Sequence, residues 1–477
     1  MRKGPVWVLI VASVASLMVA LDALVVTTAL PTIRVHLGAS IDQLEWTLNA
    51  YTLSLAVLLM TGAALGERFG RRRMFAVGLA VFSGASAACG LAPTVGWLIA
   101  ARAVQGVGAA LIMPLGLTLL SAAYPPERRA WALGIFSGIT GLAVLAGPVV
   151  GGAITQGIAW QWIFWINVPI GLLTIPVVFR RVDESYGPRS APDITGLALV
   201  TGAAVGIVWG LVRGNSAGWD SVEVIAALGL GALLAVAFVG WERRAAEPML
   251  SMRMFASRPF SSGNAGIFFL CASLYGAVFF MAQFLQTAQH DGPLAAGLRL
   301  LPWTATLFIV APITGARISR VGERSFAVAG LLLQAAGMGW IALIAGPDVD
   351  YWRLVAPLAI AGCGVSMALP AMQNAVMNSV APASIGKASG TFNMLRQLGG
   401  AFGIATLVAV FTGAGSYASP QLFSDGFTAA IGVAAAFSLL GAAASLGLPA
   451  RLGRAEDLSR GAFTGRLDPG HMTHRPQ

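Results

Sequence analysis

Two ionisable residues stand inside apolar segments, where a charged group is difficult to keep. The first is Asp22, which interrupts an apolar run from Val6 to Leu30. A carboxyl group that is removed from water and left unpaired can bind and release a proton near neutral pH. Moving one charge across a membrane potential of 100 mV is worth about 2.3 kcal/mol, enough to drive accumulation of a solute. The alternative is an aspartate that backbone or side-chain hydrogen bonds hold permanently.

Arg102 is the second of these residues, in the sequence Arg-x-x-Gln-Gly-x-Gly at 102–108. An arginine at the centre of a bilayer costs roughly 2.5–3.5 kcal/mol on insertion scales, so its presence there indicates a function. If the apolar helix began earlier in the chain, Arg102 would lie nearer the outer interface and extend its side chain to water.

Other site chemistry finds little support in the sequence. Cys89, Cys271 and Cys363 are far apart in apolar stretches, and the four histidines lie outside such stretches. This pattern predicts neither a disulfide framework nor a metal site. The sequence Gly386-Lys387-Ala388 lacks the remaining positions of a phosphate-binding loop. We therefore expect no catalytic residues, no metal and no cofactor, with protons as the coupling ion.

The composition indicates what kind of fold must hold Asp22 and Arg102. Among the 477 residues, 57% are hydrophobic and only 10% are charged, too few to cover a surface that faces water. Apolar runs near 20 residues without alternation predict membrane-spanning helices. Fourteen spans are expected, at 6–30, 45–65, 74–92, 97–120, 131–155, 162–180, 193–213, 222–241, 260–286, 294–316, 325–346, 354–378, 388–412 and 425–449.

The net charge of +10 follows the loops between these spans. With a cytoplasmic N-terminus, inside segments hold 24 of the 30 basic residues, outside segments hold three and the spans hold three. This asymmetry predicts a multi-pass protein of the cell membrane with both termini in the cytoplasm. The net charge then reflects how the loops are distributed between the two sides of the membrane. We expect membrane lipid as a partner and no nucleic acid.

The chain also repeats itself. Residues 106–114 (GVGAALIMP) and 362–370 (GCGVSMALP) share the pattern G-x-G-x5-P at an offset of 256. Such a repeat predicts an all-α membrane fold of two six-helix bundles plus an inserted helix pair. The expected domains are an N-terminal bundle at 1–182, a linker with two helices at 183–258, a C-terminal bundle at 259–450 and a disordered cytoplasmic tail at 451–477.

Two further motifs concern how helices are held together. The loop after span 2 reads AALGERFGRRR, and its residues Leu65, Glu67, Arg68, Gly70, Arg71 and Arg72 suit an ion-pair latch that gates movement. Plain anchoring of the arginines on the inside is the alternative. Span 5 carries Gly141, Gly147, Pro148, Gly151 and Gly152. Small residues at such spacings let helices approach closely.

Polar and aromatic residues in otherwise apolar spans are candidates for a substrate cavity. Any one of them could equally be a hydrogen-bonding contact between helices. The candidates are Asn49, Tyr51, Gln105, Tyr275, Gln283, Gln286, Gln373, Asn374, Asn378, Asn393 and Arg396.

Taken together, these motifs resemble the major facilitator superfamily, and specifically its fourteen-span drug:proton antiporter branch. The resemblance rests on LDxxVV…LP in span 1, the 63–73 loop, the Arg102 motif and the GP-x-x-GG of span 5. It extends to WQWIFWINVPIG (160–171), GLRLLP (297–302) and RQLGGAFG (396–403). It implies proton-coupled export of small hydrophobic or organic compounds, in which Asp22 and Arg102 serve proton coupling. The span-5 motif is associated with export and the 63–73 loop with gating.

This sequence departs from the family pattern at several points. The loop has Ala63 in place of glycine and Glu67 in place of aspartate. Spans 10 and 13 carry Arg299 and Arg396 instead of the acids of some exporters of cationic drugs. A strongly cationic substrate is therefore less expected.

The alternatives to an exporter are an importer or facilitator of a small organic solute, and a non-transporting scaffold or sensor that retains the fold. The partners expected for the exporter are a small-molecule substrate and membrane lipid. An accessory partner in the periplasm or outer membrane is left open.

Overall fold

The computed structural model describes residues 4–187, 193–381 and 384–450, and this part of the chain is helical without a strand. The predicted tail at 451–477 and residues 188–192 of the predicted linker lie outside the described residues. Thirteen helices of the described part are long and apolar enough to cross a membrane, and a bent helix makes a fourteenth. The all-helical membrane fold is thus confirmed.

We number the helices α1 to α14 by the span that each forms. The bounds are α1 Pro5–Leu37, α2 Ile41–Phe69, α3 Arg71–Gly90, α4 Val95–Ala123, α5 Pro126–Gly157, α6 Trp162–Trp165 with Asn167–Arg181, α7 Ile194–Ala217 and α8 Val222–Glu242. The second half comprises α9 Arg258–Thr287, α10 Pro293–Arg299 with Leu301–Thr304 and Thr306–Val321, α11 Glu323–Ile344, α12 Tyr351–Asn378, α13 Ile385–Ala414 and α14 Pro420–Ser445. A short 3-10 helix, Met252–Ala256, precedes α9.

Several helices begin earlier than predicted because polar residues cap them. At α2, Ser40 accepts a hydrogen bond from the Gln43 backbone, and the Gln43 side chain accepts one from the Ser40 backbone. This capping box starts the helix at Ile41, four residues before the expected start at 45. Glu45, expected as the first residue of the span, consequently lies in the second turn of α2 and is fully buried.

The two halves of the chain pair their helices in the same way. In the first half α1 packs on α5, both α2 and α3 pack on α4, and α3 packs on α6. The second half repeats this with α9 on α13, α10 and α11 on α12, and α11 on α14. Between the halves, α2 contacts α13 and α5 contacts α10. The two contacts are equivalent, because α2 corresponds to α10 in the repeat and α5 corresponds to α13. The inserted helices α7 and α8 pack on each other, and α7 also contacts α2 and α13.

The helix ends lie on two faces of the bundle. We call one the arginine-rich side; the loops that carry Arg71 and Arg181 meet there, where the Arg71 backbone binds Ser185 and the Arg181 guanidinium lies over Trp7. The opposite face, with the C-terminal ends of α1, α5 and α9, is the far side.

The apolar core is arranged differently toward the two faces. Near the far side, one cluster contains residues of both halves, among them Ile33 of α1 and Phe284 of α9. Toward the arginine-rich side, the two larger clusters belong to one half each, around Phe75 in the first and Met372 in the second, and a small cluster with α7 and α8 joins Val57 of α2 to Met394 of α13. The halves are therefore closed against each other on the far side.

Candidate functional site

Asp22 and Arg102 meet in the interior of the first half. Arg102 lies on α4 and its Nη1 donates to Asp22 Oδ2 on α1, and both side chains are wholly excluded from solvent. A buried ion pair is tolerable only when hydrogen bonds satisfy the remaining polar atoms of both groups. The surroundings of the pair supply them.

Three polar side chains from other turns and helices complete the carboxylate's surroundings. Gln105 Nε2 and Asn167 Nδ2 both donate to Asp22 Oδ1, at 2.9 Å each. The same two amides donate to Ser86 Oγ, at 3.2 and 3.0 Å. Ser86 in turn donates to the Phe164 carbonyl at 2.8 Å. The network therefore joins α1, α3, α4 and α6 around one carboxylate.

The guanidinium of Arg102 has its own set of partners. Nη1 also donates to Gln105 Oε1 at 2.7 Å, and Nε donates to the Thr47 carbonyl at 3.2 Å. Its Cζ lies 4.1 Å from the centroid of the Tyr51 ring, a cation–π contact. Nη2 is buried without a hydrogen-bond partner in the described part of the chain. Arg102 is therefore held on one side and unsatisfied on the other.

This arrangement suits an exchange between a proton and the arginine. Three donors converge on Asp22, and one of them is the Arg102 guanidinium. A proton on Oδ2 would remove the negative charge and take the place of the Arg102 donor. Arg102 would then be a buried charge without a counter-ion, an unfavourable state that drives rearrangement.

Part of this network could be anticipated and part could not. Asp22 and Arg102 are brought together as a pair. Gln105 and Tyr51, predicted as cavity residues, lie in the network instead, and the Tyr51 hydroxyl donates to the Val19 carbonyl at 3.2 Å. Asn167 was missed, although it is an amide that directly follows the apolar run WIFWI at 162–166.

The 63–73 loop forms ion pairs, and its main anion comes from another part of the chain. Glu184, which follows α6, accepts from the Arg72 backbone at 2.9 Å and lies 3.6 and 3.7 Å from Nε of Arg72 and Arg73. Glu67 is 3.9 Å from Arg71. Sequence reasoning assigned the negative charge to Glu67 alone and missed Glu184. The contacts tie the α2–α3 turn to the end of α6 within the first half.

The remaining loop residues have separate roles. Gly70 has φ +103°, and a Cβ there would come within 2.7 Å of the Glu184 carboxyl carbon. Glycine is thus required for both conformation and space. Arg68 is exposed with its guanidinium over Phe69, and Leu65 is half-buried. Gly322, in the corresponding turn between α10 and α11, has φ +99°, so both halves make this turn.

The small residues of α5 lie on two faces that serve different contacts. Gly147 and Gly151 face α1; added Cβ atoms would lie 2.7 Å from Leu24 Cβ and 3.0 Å from Val25 Cα. Gly152 faces α10, where a Cβ would lie 2.8 Å from Leu294 Cα.

The Pro148 carbonyl lies against Gly297 of α10, whose close approach a side chain would prevent. Gly141 has open space around it. The span-5 motif therefore packs α5 onto both its own half and the other half at the far side.

Three of the predicted cavity residues contribute to contacts near the far side. Gln286 Nε2 donates to the Thr28 carbonyl of α1 at 3.0 Å, a direct bond between the halves. Gln283 accepts a hydrogen bond from the Tyr417 hydroxyl, and the Arg34 guanidinium of α1 lies 3.9 Å from the Tyr417 ring centroid. Asn49 donates to Glu45 Oε1 at 3.0 Å. Gln286 and Tyr417 thus help to close the far side.

The other candidates are dispersed through the second half. The Tyr275 hydroxyl donates to Gln397 at 3.2 Å and lies beside Arg396. Asn393 donates to the Ser389 carbonyl of its own helix, and Gln373 is exposed.

Asn374 and Asn378 occupy a different place, at the arginine-rich end of the second half. They donate to Glu323 at the start of α11, at 2.7 and 3.1 Å. The structure therefore does not bring all of the predicted cavity residues into one site.

Comparison with known proteins agrees with this architecture. The family model of the Major Facilitator Superfamily matches residues 12–404. The tetracenomycin C resistance and export protein of Streptomyces glaucescens is 34% identical over 412 residues, covering 85% of this chain and 76% of that protein. The puromycin resistance protein pur8 of Streptomyces alboniger is 34% identical over 445 residues, covering 91% and 88%.

Among solved structures, a peptide transporter POT in complex with sulfate superposes with a TM-score of 0.65 at 18% identity, covering 93% of this chain and 94% of that one. This likeness concerns the fold. With the family match and the two relatives, the conclusion is that the chain belongs to the Major Facilitator Superfamily and is a multi-pass membrane transporter rather than an enzyme.

Proposed function

We propose that this protein exports small organic compounds from the cell in exchange for protons, by alternating access between the two faces of the membrane. The observation that carries the proposal is the buried Asp22–Arg102 pair in a chain of this family. The relatives' names, which refer to antibiotic resistance and export, support the substrate class and the direction. The proton is the coupling ion, and no organic cofactor takes part.

The orientation forms part of the proposal. The arginine-rich side faces the cytoplasm of a cell whose plasma membrane holds the protein, because basic loops stay on that side. Both termini are then cytoplasmic. The far side, closed here by α5 against α10 and by α1 against α9, faces outward. Membrane lipid surrounds α7 and α8, which expose large apolar side chains such as Ile225 and Leu233.

Proton coupling in this mechanism depends on which group neutralises Asp22. With Arg102 as its partner, the carboxylate is ionised and the network is closed. A proton that enters from outside displaces Arg102, and the energy of that displacement favours the alternate state of the first half. Return of the proton to the cytoplasm restores the pair.

The test uses proteoliposomes with an imposed pH gradient and radiolabelled puromycin as the probe, after a resistance panel in a pump-deficient host has shown that puromycin or another compound is exported. Wild-type protein should accumulate the compound against its gradient. Asp22→Asn protein should equilibrate it without accumulation. Asp42→Asn, which removes a half-exposed carboxylate of α2, is the matched control and should behave as wild type. Uphill accumulation by Asp22→Asn protein would refute the coupling.

A further inference from the structure

A second carboxylate lies fully buried in the first half, apart from the Asp22 network. Glu45 is in the second turn of α2 from the far side, with none of its surface exposed. Its Oε1 accepts a hydrogen bond from Asn49 Nδ2 at 3.0 Å. Its Oε2 has no hydrogen-bond partner in the described structure, and neither has Asn49 Oδ1, although both atoms are buried. Two acceptor oxygens of one hydrogen-bonded pair therefore lack a donor.

The position of Glu45 places this pair between the two halves. Glu45, Asn49 and Leu53 are spaced at four-residue intervals and so share one stripe of α2. Leu53 belongs to an apolar cluster with Ala401 and Ala405 of α13 and with Val208 and Val212 of α7. The stripe thus faces α13, a helix of the other half, with α7 beside it. Thr47 and Tyr51, which contact Arg102, lie on the opposite stripe of α2.

Few charges act on Glu45 from the elements around it. On α2 itself, Asp42 lies one turn nearer the far side and exerts a like charge. On α7, Arg213 is engaged by Glu223 at 3.1 Å. On α4 and α1, behind α2, Arg102 and Asp22 neutralise each other.

The remaining charged groups are also engaged or distant. The Arg34 guanidinium of α1 stacks on Tyr417, and His36 contacts the ring of Trp160. On α13, the stretch from 401 to 414 contains no ionisable side chain, and Lys387 and Arg396 lie nearer the arginine-rich side. Among the described residues, no cation is therefore placed to neutralise Glu45.

One proton would satisfy both unpaired oxygens at once. Bound to Glu45 Oε2, it could be donated to Asn49 Oδ1 while Asn49 Nδ2 continues to donate to Oε1. The acid and the amide would then form a closed pair with two hydrogen bonds, and no charge would remain in the apolar interface. While α2 is packed against α13, the ionised form of Glu45 lacks the second hydrogen bond and leaves a charge in the apolar interface.

We propose that Glu45, with Asn49, is a second proton-binding site that links closure of the far side to acidity outside. It is protonated when α2 and α13 are packed together at the far side. When the halves part there, water reaches the carboxyl group and the proton returns to the outside solution. This inference deepens the proposed function by adding a site that senses external acidity, whereas Asp22 carries the transported proton.

The linkage has a defined size. If the closed form binds one proton more than the open form, the ratio of closed to open protein rises tenfold for each unit by which the pH falls, over the interval between the two proton affinities. Glu45→Gln should abolish this dependence, because the amide of the new residue can donate to Asn49 permanently and imitates the protonated acid.

The first experiment counts protons and needs neither substrate nor gradient, so it remains interpretable if transport is not proton-coupled. Purified, lightly buffered protein is taken from about pH 9 to about pH 6, which lies above the ordinary range of carboxyl groups, and uptake is read with a pH dye. Wild-type and Asp42→Asn protein should bind one more proton per chain than Glu45→Gln protein. Equal uptake by all three would overturn the proposal.

The second experiment measures closure directly. Spin labels at Val35 of α1 and Leu422 of α14, both exposed near the far side, report the distance between the halves in protein whose three native cysteines are replaced. Wild-type protein should shift toward the short distance as the pH falls, and Glu45→Gln should keep the short distance throughout. A pH-dependent distance in Glu45→Gln protein that matches wild type would refute the link. Unchanged thermal unfolding of the variant excludes misfolding as the cause.

Discussion

Removing one partner of the Asp22–Arg102 pair should destabilise the protein far more than removing both. In Asp22→Asn protein, Arg102 keeps Gln105 Oε1 and the Thr47 carbonyl as acceptors but loses its only counter-ion in the network. Its Nη2 is already without a partner among the described residues. Leaving such a charge uncompensated typically costs about 3–5 kcal/mol.

The opposite single variant, Arg102→Met, leaves the carboxylate with two neutral amide donors. One charge-assisted hydrogen bond and the counter-ion are lost, so we expect a loss of similar size, about 3–5 kcal/mol. The double variant, Asp22→Asn with Arg102→Met, contains neither charge. Its stability should lie within about 1.5 kcal/mol of wild type, since a methionine can fill the space of the arginine stem.

The measurement is a double-mutant cycle on purified protein, with unfolding in mixed micelles followed by circular dichroism. The coupling energy between the two substitutions should be at least about 3 kcal/mol, because both single variants break the same interaction. Additive losses would refute the view that the two groups neutralise each other in the folded protein. The double variant should nevertheless fail to accumulate substrate, which separates the stabilising role of the pair from its role in transport.

Three further substitutions test other contacts. Gly152→Ala should strongly reduce transport, because its methyl group would lie 2.8 Å from a backbone atom of α10. Gly141→Ala, with open space around the new methyl group, should transport as wild type. Equal transport rates for the two variants would contradict the packing argument. Glu184→Gln removes the anion beside the α2–α3 turn and should change the transport rate while costing under about 1 kcal/mol of stability. Arg68→Gln is its control. Equal transport rates for the two variants would argue against the latch. Asn167→Ala removes a donor to Asp22 and should cost about 1–3 kcal/mol in the same unfolding assay; a stability equal to wild type would mean that the hydrogen bond is not formed.

The arrangement of helices was predictable because it depends on patterns that extend over many residues. Apolar runs long enough for a bilayer indicate helices, and the repeated G-x-G-x5-P pattern indicates two similar halves. The ends of helices depend on single capping residues. At α2 the bonds between Ser40 and Gln43 extended the helix by a turn, and so Glu45, expected at the first position of the span, lies in the second turn.

The site could be predicted only where a charge stands in an apolar segment. Asp22 and Arg102 are conspicuous for that reason, and their meeting follows from the need to neutralise both. The Thr47 carbonyl is a backbone group that every residue has, and hydroxyl side chains like that of Ser86 occur in most spans, so no sequence signal distinguishes either. Glu184 was hidden for another reason, because its distance from the arginines in sequence conceals a contact that the end of α6 creates.

The two buried carboxylates of the first half are held in opposite ways, and this difference assigns their roles. Asp22 receives three donors, one of them a cation, so both of its oxygens have partners. Glu45 receives one donor and faces an acceptor, so its surroundings favour the protonated form. Asp22 has all of its partners in its own half and is unaffected by a rigid movement of the halves; its proton must be admitted by a local change among α1, α3, α4 and α6. Glu45 faces α13, and a rigid movement suffices to wet it. Transport then requires a local step at Asp22 and a global step at Glu45, and a variant that fixes one should leave the other able to occur.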